Sequence, residues 1–162
     1  MRSNKGFSLV ELIVTISVLM IVLSVVALNF GNVIKWQVNK CVESIDDNLN
    51  SIKVVTLSDS EKDSTLKLSE VDGYLYMSIN DSDAIKLGKF NATVYYEDIS
   101  RDNEASIDVE DQEITISFNS NGAFNEINEI SGMYVKSIVV NKGSYTKKII
   151  CERLTGKHYI SE

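Results

Sequence analysis

The chain has no proline, one histidine and two cysteines among its 162 residues. Without proline, no helix in it can be broken by a pyrrolidine ring. One histidine and two cysteines argue against a metal centre rich in those ligands, and spacing assembles no Ser-His-Asp or Cys-His constellation around His158. No catalytic residue, metal ligand or cofactor site is expected. Basic charge is in deficit: 16 Lys plus Arg stand against 23 Asp plus Glu, a net charge of -7. That balance opposes non-specific nucleic-acid binding by the molecule as a whole, while leaving room for a local patch. The length suits one modest domain with an appendage rather than two full domains.

The apolar residues, 44% of the total, are unevenly spread. Residues 1–6 carry Arg2 and Lys5 and no acid, and residues 7–30 are apolar or neutral except for Glu11. As a helix, that run would be roughly 36 Å long, enough to cross a hydrocarbon core of about 30 Å. The basic start and mostly acidic remainder put the N-terminus in the cytoplasm and the bulk outside. A secretory signal ending near Val25-Val26-Ala27 is one reading. The run is longer than an h-region of about 7–15 residues, and Glu11 inside it would cost about 3 kcal/mol, so this reading fits poorly. A plain single-span anchor is the second reading, with Glu11 near enough to the cytoplasmic end to reach the interface.

The third reading rests on the string Lys5-Gly6-Phe7-Ser8-Leu9-Val10-Glu11-Leu12. It resembles the class III leader junction of type IV pilins and type II secretion pseudopilins, and its density and position make it far more specific than a lone short motif. The resemblance implies that prepilin peptidase cuts between Gly6 and Phe7, that Phe7 becomes the N-methylated terminus, and that Glu11 is the fifth residue of the mature protein. It further implies a non-enzymatic filament subunit, first single-pass in the cytoplasmic membrane with its head outside, then part of an extracellular filament. A carboxylate in hydrocarbon needs a partner. The amine freed at Phe7 is the best candidate, within one subunit or, as the resemblance implies, between neighbouring ones. The chain departs from many family members in having Leu28 where they have a kinking proline; Asn29 and Gly31 perturb a helix far less.

Lys35 and Trp36 follow the apolar run and suit the outer membrane interface. Ile34, Val38, Cys41, Val42, Ile45, Leu49 and Ile52 then recur at intervals of three and four, predicting an amphipathic helix to about Leu57 whose stripe is the seam for a head domain. After the polar loop 58–64, strands are expected at 65–69, 74–80, 84–87, 93–97, 106–109, 113–118, 134–140, 145–151 and 158–160. Turns are expected at Asp72-Gly73, Leu87-Gly88, Asn121-Gly122, Lys142-Gly143 and Thr155-Gly156. The fold class is α+β, a long N-terminal helix packed on an antiparallel β-sheet head. The domains read as leader 1–6, transmembrane half-helix 7–34, amphipathic half-helix 35–57 and β-rich head 58–162. The runs Glu113 to Gly122 and Ile149 to Gly156 are similar to the C-terminal half of H-type minor pseudopilins, which inclines the reading towards a minor subunit.

Cys41 on the helix stripe and Cys151 on a late strand could meet, as a disulfide or as two buried thiols. The acidic strings Asp81-Ser-Asp83, Glu97-Asp98 and Asp108-Val-Glu110-Asp111 lack EF-hand spacing and read as a solvated face. Residues 58–131 hold 17 acids and 5 bases, whereas residues 132–158 hold six bases and only Glu152 as an acid. Lys147, Lys148, Arg153 and Lys157 thus form a candidate phosphate-binding strip, and certain minor pilins of the resembled family take up DNA through a basic C-terminal region. Pairing of this strip with the acidic part of the same head, or of the next subunit, is the favoured alternative. The expected partners are prepilin peptidase, other pilin or pseudopilin subunits and the membrane, with DNA not favoured.

Overall fold

The structure, a computed structural model, describes residues 8–59 and 64–161, without the side chains of residues 25–30 and 129. The described residues form one α-helix, α1 (Leu9–Ser58), and nine strands. These are β1 (Thr65–Val71), β2 (Tyr74–Ile79), β3 (Ile85–Gly88), β4 (Asn91–Asp98), β5 (Glu104–Asp108), β6 (Ile114–Ser117), β7 (Met133–Lys142), β8 (Tyr145–Glu152) and β9 (Lys157–Ser161). A 3-10 turn at Ile127–Glu129, where the sequence predicts no element, lies between β6 and β7. The chain divides into two compact units, Met1–Lys35 and Trp36–Glu162.

In the first unit, every described side chain from residue 8 to residue 24 is exposed. Leu9, Val10, Leu12, Ile13, Ile16, Leu19 and Leu23 leave no polar face on this helical segment, which Ser and Thr interrupt only by bonding back to their own backbone: Ser17 Oγ donates to the Ile13 carbonyl at 2.8 Å. Among the described residues, no helix is long and apolar enough to cross a membrane. The apolar run continues into residues 25–30, whose side chains lie outside the described ones.

The second unit holds the core. Val38, Val42, Ile45 and Leu49 are fully buried, with Cys41 and Ile52 nearly so, and Thr56 extends the same stripe, its hydroxyl bonded to the Ile52 carbonyl at 3.0 Å. The strands of the expected antiparallel head form two sheets: a four-stranded sheet in the order β3-β2-β1-β6 and a five-stranded sheet in the order β5-β4-β7-β8-β9. Alternation decides which side chains enter the core. Leu66 and Leu68 of β1, Leu75 and Met77 of β2, and Ile114 and Ile116 of β6 line one sheet; Ala92 and Val94 of β4 and Ile149 and Cys151 of β8 line the other. In β7 the alternation slips: Val135 and Ile138, three apart, are both buried. The pairing register slips at the same place, Tyr95 facing Ser137 and Tyr96 facing Val135, so Lys136 is an extra residue that restores the apolar phase.

Two tight turns set the register. Asp72 and Gly73 both have positive φ between Val71 and Tyr74, the signature of a type I′ hairpin. Gly143, at φ +61, opens the two-residue loop between Lys142 and Tyr145. The outer edge of β6 is closed by the Asn128 side-chain amide and the Asn125 backbone. Asn128 Oδ1 accepts the Thr115 N–H at 2.6 Å, and its Nδ2 donates to the Glu113 carbonyl at 3.0 Å. The Asn125 N–H donates to the Ser117 carbonyl, also at 3.0 Å.

The runs 113–122 and 149–156 end against each other. An ideal Cβ on Gly156 would lie 1.9 Å from the Gly122 carbonyl oxygen, and Gly156 is at φ +57. The Phe124 N–H donates to the Arg153 carbonyl beside this contact, at 3.0 Å. Gly156→Ala is therefore expected to lower stability by more than the roughly 1–2 kcal/mol that a left-handed alanine costs on its own. Gly143→Ala, with no neighbour within 4 Å, should show only that backbone cost. Urea unfolding of the two variants would expose the error if both lost equal stability.

Candidate functional site

The N-terminal string is described from Ser8 onward; Gly6 and Phe7 lie outside the described residues. Ser8 caps α1. Its Oγ accepts the Glu11 N–H at 3.2 Å and its carbonyl accepts the Leu12 N–H at 3.1 Å. The order Ser8-x-x-Glu11 is that of a capping box, a helix-start signal carried by the sequence itself. Glu11 lies in the first helical turn, where its negative charge complements the helix dipole. Its side chain is exposed and is the only charged group among residues 8–24. The helix therefore starts beside the expected cleavage point, with the carboxylate in its first turn.

Residues 1–27 match the family described as the prokaryotic N-terminal methylation motif. The chain has a type IV pilin-like N-terminus. The match covers the pilin-like segment alone; no curated protein and no solved structure matches the chain. Such a motif supports processing by prepilin peptidase and a structural role.

The head contains the other candidates from the sequence. Lys147 and Lys148 are successive residues of β8, so their side chains leave opposite faces of the sheet. Arg153 stacks on the Tyr134 ring, its guanidinium carbon 4.8 Å from the ring centroid, and Lys157 is exposed at the start of β9. The strip is thus spread over both faces and a turn. From the same basic tail, Lys136 pairs with the acidic part of the head: its Nζ lies 2.8 Å from Glu104 and 3.3 Å from Glu97.

Carboxylates of the acidic strings also have local uses. Asp108 accepts from the Thr93 hydroxyl at 2.6 Å. Asp98 accepts from Asn103 Nδ2, the Ser100 hydroxyl and the Asp102 N–H, and the Asn103 bond leads in holding its carboxyl below the ordinary value. Among the described residues, no cluster of three or more His, Cys, Asp or Glu is arranged to hold a metal ion. A cleft of about 880 Å³ between Thr65, Thr115, Ser117, Asn125, Asn128 and Tyr134 is lined largely by hydroxyls and amides, with Glu113 and Glu126 and, among the described residues, no histidine, cysteine or lysine.

Cys41 and Cys151 are both buried and unbridged. Burial pushes each thiol up to about 12, and the Asp46 carboxylate adds to the effect on Cys151. Both are protonated at neutral pH and shielded from reagents. A thiol-reactive maleimide at pH 7.5 should therefore label neither in the native protein and both in urea without reductant. Labelling of the folded chain, or none after unfolding, would contradict the free, buried assignment.

His158 is the least expected feature. Its side chain is only 2% exposed, and its ring centroid lies 6.2 Å from those of Phe118 and Phe124. Nδ1 lies 3.1 Å from the Gly156 carbonyl, which can only accept, so Nδ1 carries a proton. Nε2 faces Asp46 Oδ1 at 3.9 Å, too far for a hydrogen bond, and both atoms are buried without a hydrogen-bond partner. Burial raises the Asp46 carboxyl above its ordinary value; His158 partly offsets this, and Asp47 adds a smaller upward push. A raised carboxyl contributes stability that is complete below its unfolded value and is lost as pH rises through its folded value. The stability of Asp46→Asn relative to the parent should thus increase between about pH 4 and pH 7. Thermal melts across that range test it, and a flat difference would remove the burial penalty from Asp46.

Proposed function

We propose that the protein is a minor pilin or pseudopilin, a non-enzymatic subunit of a type IV pilus or a type II secretion-like filament. Prepilin peptidase cuts it after Gly6, and Phe7 becomes its N-methylated terminus. Residues 7–34 hold it as a single pass in the cytoplasmic membrane with the head outside, until it moves into an extracellular filament. The observation that carries this reading is the first helical segment, exposed and apolar on every face, with Glu11 as its sole charge. A helix without a polar face needs an apolar surrounding, either lipid or the same segments of neighbouring subunits.

Two alternatives share the anchor. A plain anchored surface domain has no use for a carboxylate in the first turn of the helix, whereas a filament subunit uses it to pair with the amine of an incoming Phe7, neutralising two charges that hydrocarbon disfavours. DNA uptake through Lys147, Lys148, Arg153 and Lys157 would need a convergent cationic face; their spread over two faces and the Arg153–Tyr134 stack favour the structural subunit.

The test is intact-mass measurement on protein from its native host, paired with the variant Glu11→Val. The expected mass lacks residues 1–6 and gains one methyl group. Glu11→Val should be inserted and processed normally, yet be missing from sheared filaments. A retained Met1 would overturn the leader assignment, and normal incorporation of the variant would overturn the role of Glu11.

A further inference from the structure

We infer that the head carries a binding site for the phosphate groups of anionic phospholipids, in the groove between the start of its helical segment and strand β3. This inference rests on the membrane-anchored reading above. The groove has a volume of about 580 Å³, and among the described residues its charged lining is Lys40, Lys86, Lys89 and Lys142, with no carboxylate. In a chain of net charge -7, four lysines around one concavity form a local reversal of sign.

The lysines are set among rings and apolar side chains. Lys86 Nζ sits 3.2 Å from the Tyr74 ring centroid. Lys142 Nζ donates to Gln37 Oε1 at 2.7 Å and lies 5.1 Å from the Phe90 centroid. Lys40 Nζ is 2.7 Å from Glu43, which is not part of the lining. Lys40, Lys86 and Lys89 are exposed, and so are Trp36 and Ile85 on the same groove. The wall at β3 is tightly built: Gly88 is at φ +140, and an ideal Cβ there would come within 2.6 Å of Phe90 Cε2. Ammonium groups beside tryptophan, tyrosine and an exposed isoleucine match the boundary between headgroup phosphates and acyl chains, where amphipathic side chains place ring or stem towards lipid and the polar end towards water.

Position in the chain favours a bilayer over other polyanions. Trp36 and Lys40 follow directly on the segment read as the membrane span, so at about 1.5 Å per helical residue they start within roughly 10 Å of its end. Clusters of lysine close to a span are drawn to anionic lipid. A long nucleic acid would instead have to run past the acidic remainder of the head.

The full chain would be reconstituted with vesicles of phosphatidylcholine alone, or of phosphatidylcholine with phosphatidylglycerol at seven to three. Flotation reports the anchor, and the rate of amine labelling, read residue by residue by mass spectrometry, reports the groove. Labelling of Lys86 and Lys89 is expected to slow roughly fivefold in the phosphatidylglycerol vesicles. Lys157 should be unchanged, and 0.5 M salt should erase the difference.

A chain that floats with both vesicles but labels alike in both overturns the groove and keeps the anchor. One that floats only with phosphatidylglycerol, and is protected there, overturns the anchor and keeps the groove. Floating with neither overturns both. Equal protection in phosphatidylcholine vesicles by inorganic phosphate, or by a DNA oligonucleotide, would show an anion site not specific to lipid and overturn the bilayer assignment.

Discussion

The constraint on which the head depends is the need to cover one apolar stripe. Val38, Cys41, Val42, Ile45, Leu49 and Ile52 lie along one side of α1, and each would lose about 1.5–3 kcal/mol if left in water. Two sheets supply the cover with their alternate side chains, and β7 needs an extra residue, Lys136, to keep its apolar side chains in phase. The Gly122 and Gly156 turns meet at backbone distance because Gly156 has no side chain to hold them apart. Residues 8–24 of the first unit pose the same requirement without meeting it internally, since their apolar side chains are all exposed. That contrast underlies the proposed division of labour, one segment covered by its own chain and the other by lipid or neighbours.

Much of the fold was legible because its strands obey simple alternation. Leu75-Tyr76-Met77 and Ile114-Thr115-Ile116 each place apolar residues on one face, and glycine marks the turns after Asp72, Asn121, Lys142 and Thr155. The split into two sheets was not legible, because alternation tells which face of a strand is buried but not which strand is its neighbour. The slip in β7 escaped for a related reason: Val135 and Ile138 match no period-two pattern until the bulge opposite Tyr95 and Tyr96 is known. The turn at Ile127–Glu129 is too short to have a periodicity, and Asn128 adopts φ +47 within it to reach β6.

The N-terminal motif was legible as a string, since order and spacing alone carry the match of residues 1–27 to the methylation-motif family. Its helix cap was written there as well, in Ser8 and Glu11, yet was hidden by the stronger pattern around it. The His158–Asp46 pair could not be seen, because 112 positions separate a helix residue from one on the last strand, and burial rather than spacing gives the pair its character. The basic groove was equally hidden. Lys40, Lys86, Lys89 and Lys142 are far apart along the chain, whereas Lys147, Lys148, Arg153 and Lys157 draw the eye by being close in sequence, although folding spreads them over different faces.

The amide of Asn128 bears on how such a head behaves when crowded. By occupying the Thr115 N–H and the Glu113 carbonyl, it stands where a foreign strand would have to dock, and Asn125 does the same at Ser117. Bare strand margins recruit one another and drive runaway aggregation, so a small amide plugging this margin acts as a gatekeeper. At the high local concentration of an array, heads protected in this way are steered towards reversible contact through side chains rather than irreversible fusion through backbone.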